Sequence, residues 1–415
     1  MREGWKAYRL GDLVDSKRGI SYGIVQPGQF LKEGGVPIIK VNNLTESKTE
    51  LGDLFRVSKE IESKYERTRL RGDEILVSLV GSLGHVFKTS EMHKGWNVVR
   101  AIGVLPIKNG INRDWIYWYL KCQIIQTLFQ NLATVTVQAT LNLKELREIE
   151  IPIPDEETQC RITTILSALD DKIELNRQAN QTLEAIAQAL FKEWFVDFNF
   201  PGATGEMQES ELGPIPVGWE ISTLKNLTVK IGSGATPRGG SGVYLDEGTA
   251  LIRSQNVYDS EFVWDGLARI SDEAAEQLRN VEVKKEDVLL NITGASILRT
   301  CVVVPEVLPA RVNQHVAIIR ANSGISSRYI HLHLLQQKTK DYLMALDAGG
   351  SREAVTKGHI ELVPILKPPL NVLARFDTVT SSIYLEIEQL SSQIRALASI
   401  RDILLPKLMS GVISV

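Results

Sequence analysis

Two stretches of the chain have residue types that suggest phosphate or metal chemistry, but neither has the spacing that this chemistry needs. Gly232–Gly242 (GSGATPRGGSG) looks like a phosphate-binding loop, yet it lacks the Gly-Lys-Ser/Thr ending and does not lead into a predicted helix. A flexible surface loop near a ligand fits it better. Asp272 with Glu282-Val-Lys284 looks like the acidic-x-lysine core of a metal-dependent nuclease, but Asp272 starts a predicted helix, Asp272–Leu278.

Other catalytic patterns are also missing from the sequence. There is no Asn/Asp-Pro-Pro-aromatic motif for base methylation, and no glycine fingerprint follows the first predicted strand. The histidines do not pair with cysteine or acidic residues at the spacing of metal ligands. They are His85, His93, His315, His331, His333 and His359. The sequence therefore predicts no catalytic residue and no metal site in this chain.

What the sequence offers instead is polar side chains in turns beside predicted strands. Asn and Gln match the edge of adenine, and Arg and Lys match guanine, so these side chains predict DNA binding. Each of them alone is more typical of an ordinary turn. The predicted DNA-binding residues of the first half are Lys40, Asn42, Asn43, Ser78, Ser82, His85, Asn97, Arg100 and Gln138. Those of the second half are Arg253, Gln255, Asn256, Asn291, Thr293, Ser296, Asn313, Gln314 and Arg352.

The two sets correspond because the chain contains an internal repeat. The aligned stretches are Trp5–Leu13 with Trp219–Leu227, Ile38–Leu44 with Leu251–Val257, Glu74–Gly81 with Asp287–Gly294, and Thr140–Ile149 with Thr356–Ile365. The offset is 213 or 214 residues in the first three pairs and 216 in the last. Polar residues thus recur at equivalent places with different side chains, as expected of two domains that read different short sequences.

Each repeat begins with short β-branched runs and continues with one predicted helix. The predicted strands are Val36–Val41, Glu74–Val80 and Val98–Pro106, then Ala250–Ser254, Asp287–Ile292, Arg299–Val304 and Val316–Arg320. The predicted helices are Arg113–Leu132 and Ser327–Leu346. We therefore expect two tandem α/β (α+β) domains, at residues 1–154 and 218–370.

Each predicted domain is followed by a long helix, at residues 155–200 and 371–415, and residues 201–217 form a linker. Apolar positions in both helices follow alternating steps of three and four, which is typical of a coiled coil. The first seam is Ile162, Leu166, Leu169, Ile173, Asn176, Asn180, Leu183, Ala187, Leu190 and Trp194. The second is Phe376, Val379 or Thr380, Ile383, Ile387, Leu390, Ile394, Leu397, Leu404 and Leu408. An ordinary amphipathic helix on one core is the alternative for the first seam.

A pseudo-twofold between the repeats makes the two helices an antiparallel pair. Each seam spans 32 residues, or about 48 Å at roughly 1.5 Å per residue. Such a rod between two DNA-reading domains corresponds to roughly 14 base pairs at about 3.4 Å per pair. The two asparagines in the first seam are expected to fix its register.

Charge and cysteine content bear on partners and compartment. Residues 1–154 carry 22 basic against 17 acidic side chains, whereas residues 155–200 carry 4 against 9. This weak basicity predicts that another subunit contributes to any DNA affinity. Three scattered cysteines, the lack of a signal-peptide core after Met1 and the lack of a long apolar run predict a cytoplasmic location.

The ends of the long helices carry a resemblance to a known family. Phe191-Lys-Glu-Trp-Phe-Val-Asp-Phe198, Leu404-Leu-Pro-Lys-Leu-Met-Ser-Gly411 and Gly234-Ala-Thr-Pro237 are similar to motifs of type I restriction-modification specificity subunits. The exits Ile149–Pro154 and Ile365–Pro369 are similar as well. The first domain departs from the pattern, with Gly19-Ile-Ser-Tyr-Gly23 in place of Gly-x-Thr-Pro.

This resemblance implies a non-catalytic subunit with two target-recognition domains, each of which reads one half of a split, asymmetric DNA site. It also implies two methyltransferase subunits and motor-nuclease subunits as partners, which carry the chemistry together with S-adenosylmethionine, ATP and Mg²⁺. A divergent methyltransferase or nuclease, and a coiled-coil scaffold that binds proteins, are the alternatives.

Surplus apolar residues at the helix ends predict where the methyltransferase subunits dock. These residues are Trp194, Phe195, Phe198, Leu405, Leu408 and Met409. Packing against the neighbouring domain is the alternative for them.

Overall fold

The computed structural model describes residues 4–44, 54–135, 139–237, 239–346 and 354–415. The chain forms two compact units. The first unit comprises Met1–Arg177 and Ser392–Val415, and the second comprises Gln178–Ser391. Each unit therefore contains one predicted domain and a part of both long helices.

The two long helices are Glu156–Phe195 and Leu370–Met409, each 40 residues long. Asp155 begins the first, because its carboxylate accepts hydrogen bonds from the Thr158 backbone N–H at 2.9 Å and from the Thr158 hydroxyl at 2.7 Å. The first helix ends at Phe195, five residues earlier than the predicted end at residue 200, and Phe198 follows with a positive φ of 61°. Both ends of the second helix lie 214 positions beyond those of the first, which is the offset of the repeat.

The predicted seams are the inward faces of these helices. Every predicted position of the first seam is buried or half-buried, and the ambiguity in the second is resolved in favour of Thr380, which is buried while Val379 is exposed. The Thr380 hydroxyl donates to the Phe376 carbonyl at 2.9 Å, which satisfies it inside the seam. The alternative of an ordinary amphipathic helix is excluded, since the two helices pack together in each unit.

Contacts between the helices show that they run antiparallel. In the first unit, Asn176 Nδ2 donates to Gln393 Oε1 at 3.1 Å, and Asp170 pairs with Arg401 at 2.5 Å. In the second unit, Asn180 Nδ2 donates to Ser391 Oγ at 3.0 Å. Higher numbers in the first helix thus meet lower numbers in the second. Both seam asparagines bond across the pair, as expected of residues that fix register.

The described part of the first unit contains two main sheets, one longer strand pair and one short strand pair. The longer pair joins Lys6–Arg9 to Glu150–Ile153. The four-stranded antiparallel sheet has the order Ser21–Tyr22, Ile102–Pro106, Glu74–Ser78, Val86–Lys88. The three-stranded sheet has the order Phe55–Val57, Val36–Ile39, Asn97–Val98, of which the last two are parallel. A separate short pair in the first unit joins Thr134–Val135 to Ala139–Thr140. The α-helices of the first unit, apart from the long ones, are Leu10–Leu13, Lys59–Ser63, Arg113–Lys121, Gln123–Leu132 and Leu143–Glu148.

The second unit repeats this topology with one more strand in its second main sheet. Glu220–Thr223 pairs with Pro364–Lys367. One four-stranded sheet has the order Thr228–Ser233, Val316–Ala321, Val288–Asn291, Thr300–Val302. The other has the order Ala268–Ile270, Thr249–Ile252, Ala310–Val312, Glu282–Val283. Two hairpins are formed by Val257–Tyr258 with Glu261–Phe262 and by Met207–Gln208 with Ile215–Pro216. The helices are Leu224–Leu227, Asp272–Gln277, Ser327–Leu335, Gln337–Leu346 and Lys357–Glu361.

Equivalent hydrogen bonds confirm the repeat and correct its offset near the end of each domain. The Leu10 N–H donates to the Ile149 carbonyl, and the Leu224 N–H donates to the Val363 carbonyl. Ile149 therefore corresponds to Val363 and not to Ile365. The alignment of Thr140–Ile149 with an offset of 216 was wrong by two residues, because the structure keeps 214 through this stretch.

The predicted helices before the domain exits were too long. Each is broken into two, at Cys122 in the first unit and at Gln336 in the second. The Gln126 side chain donates to the Leu120 carbonyl at 2.7 Å, and the Gln336 side chain donates to the Leu332 carbonyl at 3.1 Å. These side chains satisfy carbonyls that the break leaves without a helical partner. The predicted strand Val98–Pro106 is likewise broken into Asn97–Val98 and Ile102–Pro106.

Candidate nucleic-acid interface

In each unit a strand with a buried end leads into a 3₁₀ turn, and a cation lies between the strand and the turn. Strand Val36–Ile39 leads to Lys40, and strand Thr249–Ile252 leads to Arg253. The amide oxygen of Asn43 accepts from the Lys40 N–H at 2.9 Å, and that of Asn256 accepts from the Arg253 N–H at 3.1 Å. The same asparagine therefore shapes the same turn in both units.

The cations of these turns lie against aromatic rings. Lys40 Nζ is 3.3 Å from the centre of the Phe55 ring, and the Arg253 guanidinium is 5.2 Å from that of Tyr244. Arg253 also donates to the Gly266 carbonyl, and the Gln255 amide donates to the same carbonyl at 3.3 Å. Each turn thus presents a cation in a fixed position.

A second turn follows the central strand of the four-stranded sheet. In the first unit, the Ser78 hydroxyl donates to the Ser82 carbonyl at 2.6 Å and accepts from the His85 N–H at 2.8 Å. In the second, Asn291 Nδ2 lies within hydrogen-bond distance of the Ser254 carbonyl at 2.9 Å and the Ser296 hydroxyl at 3.2 Å. Asn291 therefore ties the second turn to the first.

A third region brings together Thr293, Asn313 and Gln314. The Asn313 amide oxygen accepts from the His315 N–H at 3.1 Å, and the Thr293 hydroxyl lies 2.6 Å from His315 Nδ1. Gln314 is exposed, and its amide bonds Thr236 and His315. In the first unit, Arg100 is exposed.

Burial divides the predicted DNA-binding residues into three groups. Asn42, Ser82, Arg100, Gln255 and Gln314 are exposed, and Lys40, Asn43, His85, Arg253, Thr293 and Ser296 are half-buried. Ser78, Asn97, Asn256, Asn291 and Asn313 are buried. Each of these five side chains makes hydrogen bonds within its own unit, and their contact with DNA bases stays a prediction. Gln138 and Arg352 lie outside the described residues.

Two features of the interface were missed in the sequence. Gly23, and not Gly19, is the counterpart of Gly234, because a Cβ on either would lie 2.5 Å or less from strand-end carbonyls, those of Val98 and Val312. The Gly-x-Thr-Pro loop of the second unit is therefore matched by the loop that begins at Gly23. Arg299, whose guanidinium stacks 4.2 Å from the centre of the Tyr258 ring, was also missed. It lies within a β-branched run that predicts an ordinary strand.

The candidates for catalysis remain unsupported among the residues that the structure describes. These residues hold no group of three His, Cys, Asp or Glu side chains that could bind a metal ion. Asp272 starts the short helix Asp272–Gln277, as predicted. His331 is buried, its Nε2 lies 3.1 Å from the Thr300 carbonyl, and burial lowers its pKa to about 4. That histidine is a neutral core residue.

An apolar cavity of about 240 Å³ lies in the first unit, away from these turns. Trp5, Tyr119, Cys122, Ile124 and Met409 are among its lining residues. In the second unit, Phe198 and Phe200 pack on Trp219, the counterpart of Trp5, at ring distances of 5.6 and 5.1 Å. The two units therefore differ at this place.

The residues predicted to dock partners lie mostly in the cores. Trp194 and Phe195 are buried in the core of the second unit, and Leu405, Leu408 and Met409 are buried in that of the first. Only Phe198 is half-buried. Packing against the neighbouring domain, the alternative considered for these residues, is therefore what the structure favours for the five buried ones.

Comparison with known proteins identifies similar chains. A family model described as the type I restriction modification DNA specificity domain matches residues 2–185. The type I restriction enzyme HindI specificity subunit of Haemophilus influenzae is 24% identical over 98% of this chain and 99% of its own length. The MjaIX specificity subunit of Methanocaldococcus jannaschii is 28% identical over 74% and 70%. The crystal structure of the type I S subunit from M. genitalium shares the fold, with a TM-score of 0.55 and 16% identity over 97% of this chain and 96% of that chain.

None of the helices in the described part of the chain is long and apolar enough to cross a membrane.

Proposed function

Because the chain belongs to the family of type I restriction-modification specificity subunits, we propose that it reads a split, asymmetric DNA site, one half with each unit. The observation that carries this proposal is a pair of turns that recurs with the same internal hydrogen bonds and different outer side chains. Asn43 and Asn256 shape the first turn, while its exposed tip carries Asn42 in one unit and Gln255 in the other. Two turns with the same internal hydrogen bonds and different exposed side chains suit two domains that recognise different bases.

Catalysis resides in partner subunits under this proposal. S-adenosylmethionine, ATP and Mg²⁺ bind there, and this chain contributes DNA recognition and assembly. The expected partners are two methyltransferase subunits and motor-nuclease subunits. Purified chain incubated with DNA, Mg²⁺ and a labelled methyl donor should neither methylate nor cleave. Turnover by the chain alone would support the rival interpretation, a divergent enzyme.

The outer faces of the long helices are the proposed docking surfaces for the methyltransferase subunits. Ile165 and Val379 are exposed and lie 214 positions apart, and so are Ile186 and Ile400. Two equivalent pairs of exposed apolar side chains suit two copies of one partner. Ile186→Asp with Ile400→Asp should prevent co-purification with the methyltransferase, whereas Gln188→Asp, at an exposed position on another face of the first helix, should not.

Selection from random-sequence duplexes tests DNA reading directly. The chain in complex with its methyltransferase partner should enrich a bipartite motif with a gap. Replacing residues 1–154 by the corresponding domain of another specificity subunit should change one half of that motif and leave the other intact. Failure to enrich any split motif would favour the coiled-coil scaffold.

A further inference from the structure

Arg299 is a cation of the second unit that lies over the face of an aromatic ring. It immediately precedes the strand Thr300–Val302, and its guanidinium carbon lies 4.2 Å from the centre of the Tyr258 ring. Tyr258 is 39% exposed and Arg299 is half-buried, so the stack lies at the surface. Such stacking restricts the plane of the guanidinium and leaves its edge available for hydrogen bonds.

The backbone beneath this stack is fixed on both sides. The Arg299 N–H donates to the Ser296 carbonyl at 3.2 Å, and the Arg299 carbonyl accepts from the Asn291 N–H at 2.8 Å. Asn291 Nδ2 also lies 3.1 Å from the Val257 carbonyl, one residue before Tyr258. One buried asparagine therefore connects the segments that carry the two members of the stack.

The guanidinium donors of Arg299 have no hydrogen-bond or ion-pair partner among the described residues. Other arginines of this unit are engaged: Arg253 donates to the Gly266 carbonyl, Arg311 donates to the Ala275 carbonyl, and Arg320 pairs with Asp287. Arginine has five N–H donors in a planar fork, which can contact O6 and N7 of guanine together. Arg299 thus combines a restricted plane with free donors.

Comparison with the first unit separates base reading from phosphate binding. Val302 pairs with Val288, and Lys88 pairs with Ile75, so Arg299 occupies the place of His85. By contrast, Lys40 and Arg253 occupy equivalent positions in the two units, and both are cations. The DNA backbone is the same in both half-sites, while the bases differ, so a place where the side chain changes from histidine to arginine suits base reading.

We propose that Arg299, positioned by Tyr258, reads a guanine in the half-site bound by the second unit. This inference rests on the proposed function, since it assumes that the second unit reads DNA.

The test is a selection from random-sequence duplexes with the full chain in complex with its methyltransferase partner. Wild type, Arg299→Ala, Arg299→Lys and Tyr258→Leu are compared, and Arg279→Ala removes an exposed cation of the same unit as the matched control. Binding is then measured over a range of salt concentrations on the selected site and on its single-base variants. Thermal unfolding of each variant establishes that it is folded.

Wild type is expected to require guanine at one position of one half-site. Arg299→Ala should reduce discrimination at that position by about 5- to 150-fold and leave all other positions unchanged. Arg299→Lys should recover part of it, because lysine lacks the fork. Tyr258→Leu should relax the same position, and Arg279→Ala should change none.

Three results would overturn the inference. One is a motif without guanine in that half-site, and another is an unchanged motif with folded Arg299→Ala. The third is a uniform loss of affinity on all sequences with a salt slope reduced by about one, which identifies a phosphate contact. If wild type enriches no split motif, the proposed function fails together with the inference.

Discussion

The long helices provide the most direct test of the proposed function, because their length should set the gap between the two half-sites. We consider removing one heptad from each helix, Gln181–Ala187 and Ile383–Gln389. These segments face each other in the antiparallel pair, so the register is kept on both sides. Asn180 with Ser391 remains on one side, and Trp194 with Phe376, whose rings lie 5.5 Å apart, remains on the other.

The expected change follows from helix geometry. Seven residues at roughly 1.5 Å each shorten a helix by about 10 Å, which corresponds to about three base pairs. Seven residues also preserve the spacing of the seam. The paired deletion removes the stack of Arg328 on Tyr384, at 4.3 Å, which is expected to cost about 0.5–1 kcal/mol.

Selection from random duplexes is the assay, with the methyltransferase partner present. The paired deletion should enrich the wild-type half-sites with a gap shorter by about three base pairs. Deleting Gln181–Ala187 alone is the control, since it displaces Asn176 and Asn180 from their partners and should unfold or inactivate the chain. An unchanged gap in a folded paired deletion would refute the idea that the helices measure the distance.

Three further predictions concern stability. In a double-mutant cycle, Asp170→Ala and Arg401→Ala should show a coupling of about 1 kcal/mol in urea unfolding, because both charges are only about a quarter exposed; additive effects would contradict a direct ion pair. Trp194→Ala should cost about 3–5 kcal/mol, because its ring is buried in a core, whereas Val196→Ala, at an exposed position, should cost less than about 0.5 kcal/mol. His331 has its pKa lowered by burial from 6.5 to about 4, so the stability gained by keeping it neutral is present above pH 6.5 and is lost as the pH falls towards 4. Between pH 7 and 5 wild type should lose about 2 kcal/mol more than His331→Gln, which does not titrate, and parallel pH profiles would show that His331 is not the cause.

The long helices were the most predictable part of the fold. Their seams follow from spacing alone, because a sustained heptad repeat has one inward face. The choice between Val379 and Thr380 could not be made from spacing, since both positions fit. It depends on the Thr380 hydroxyl bonding its own helix, which makes a polar residue acceptable in the seam.

The breaks at Cys122 and Gln336 could not be predicted, because neither position carries glycine or proline. Apolar residues continue on both sides of each break, so the sequence is typical of one uninterrupted helix. The offset error near Ile149 has a related cause. Two short helices, Leu143–Glu148 and Lys357–Glu361, align by residue type in more than one way, and only the strand hydrogen bonds fix the correspondence.

The sequence predicted where the turns of the candidate site lie, but not which of their side chains point to solvent and which hold the turn together. The turns at Lys40 and Arg253 are where the sequence places them. However, asparagine is favoured both in turns and in contacts to adenine, so its type does not tell which role applies. Asn256 and Asn291 have the role of turn residues, because their amides donate to carbonyls within the unit. For Arg299 we propose a base contact, although a run of β-branched residues conceals this arginine in the sequence.

One fully buried acid in each unit pairs with an arginine of the same unit, which favours the exchange of one domain without damage to the other. Glu74 and Asp287 are fully buried acids at equivalent places beside the central strands. Burial alone would raise the pKa of Glu74, but hydrogen bonds from Arg18 and from the Arg71 N–H hold it below its ordinary value. Arg320 pairs with Asp287 at 2.6 Å, and it comes from a different part of the domain than Arg18 does. Because Asp287 and Arg320 both belong to the second unit, replacing residues 1–154 leaves this buried acid with its partner.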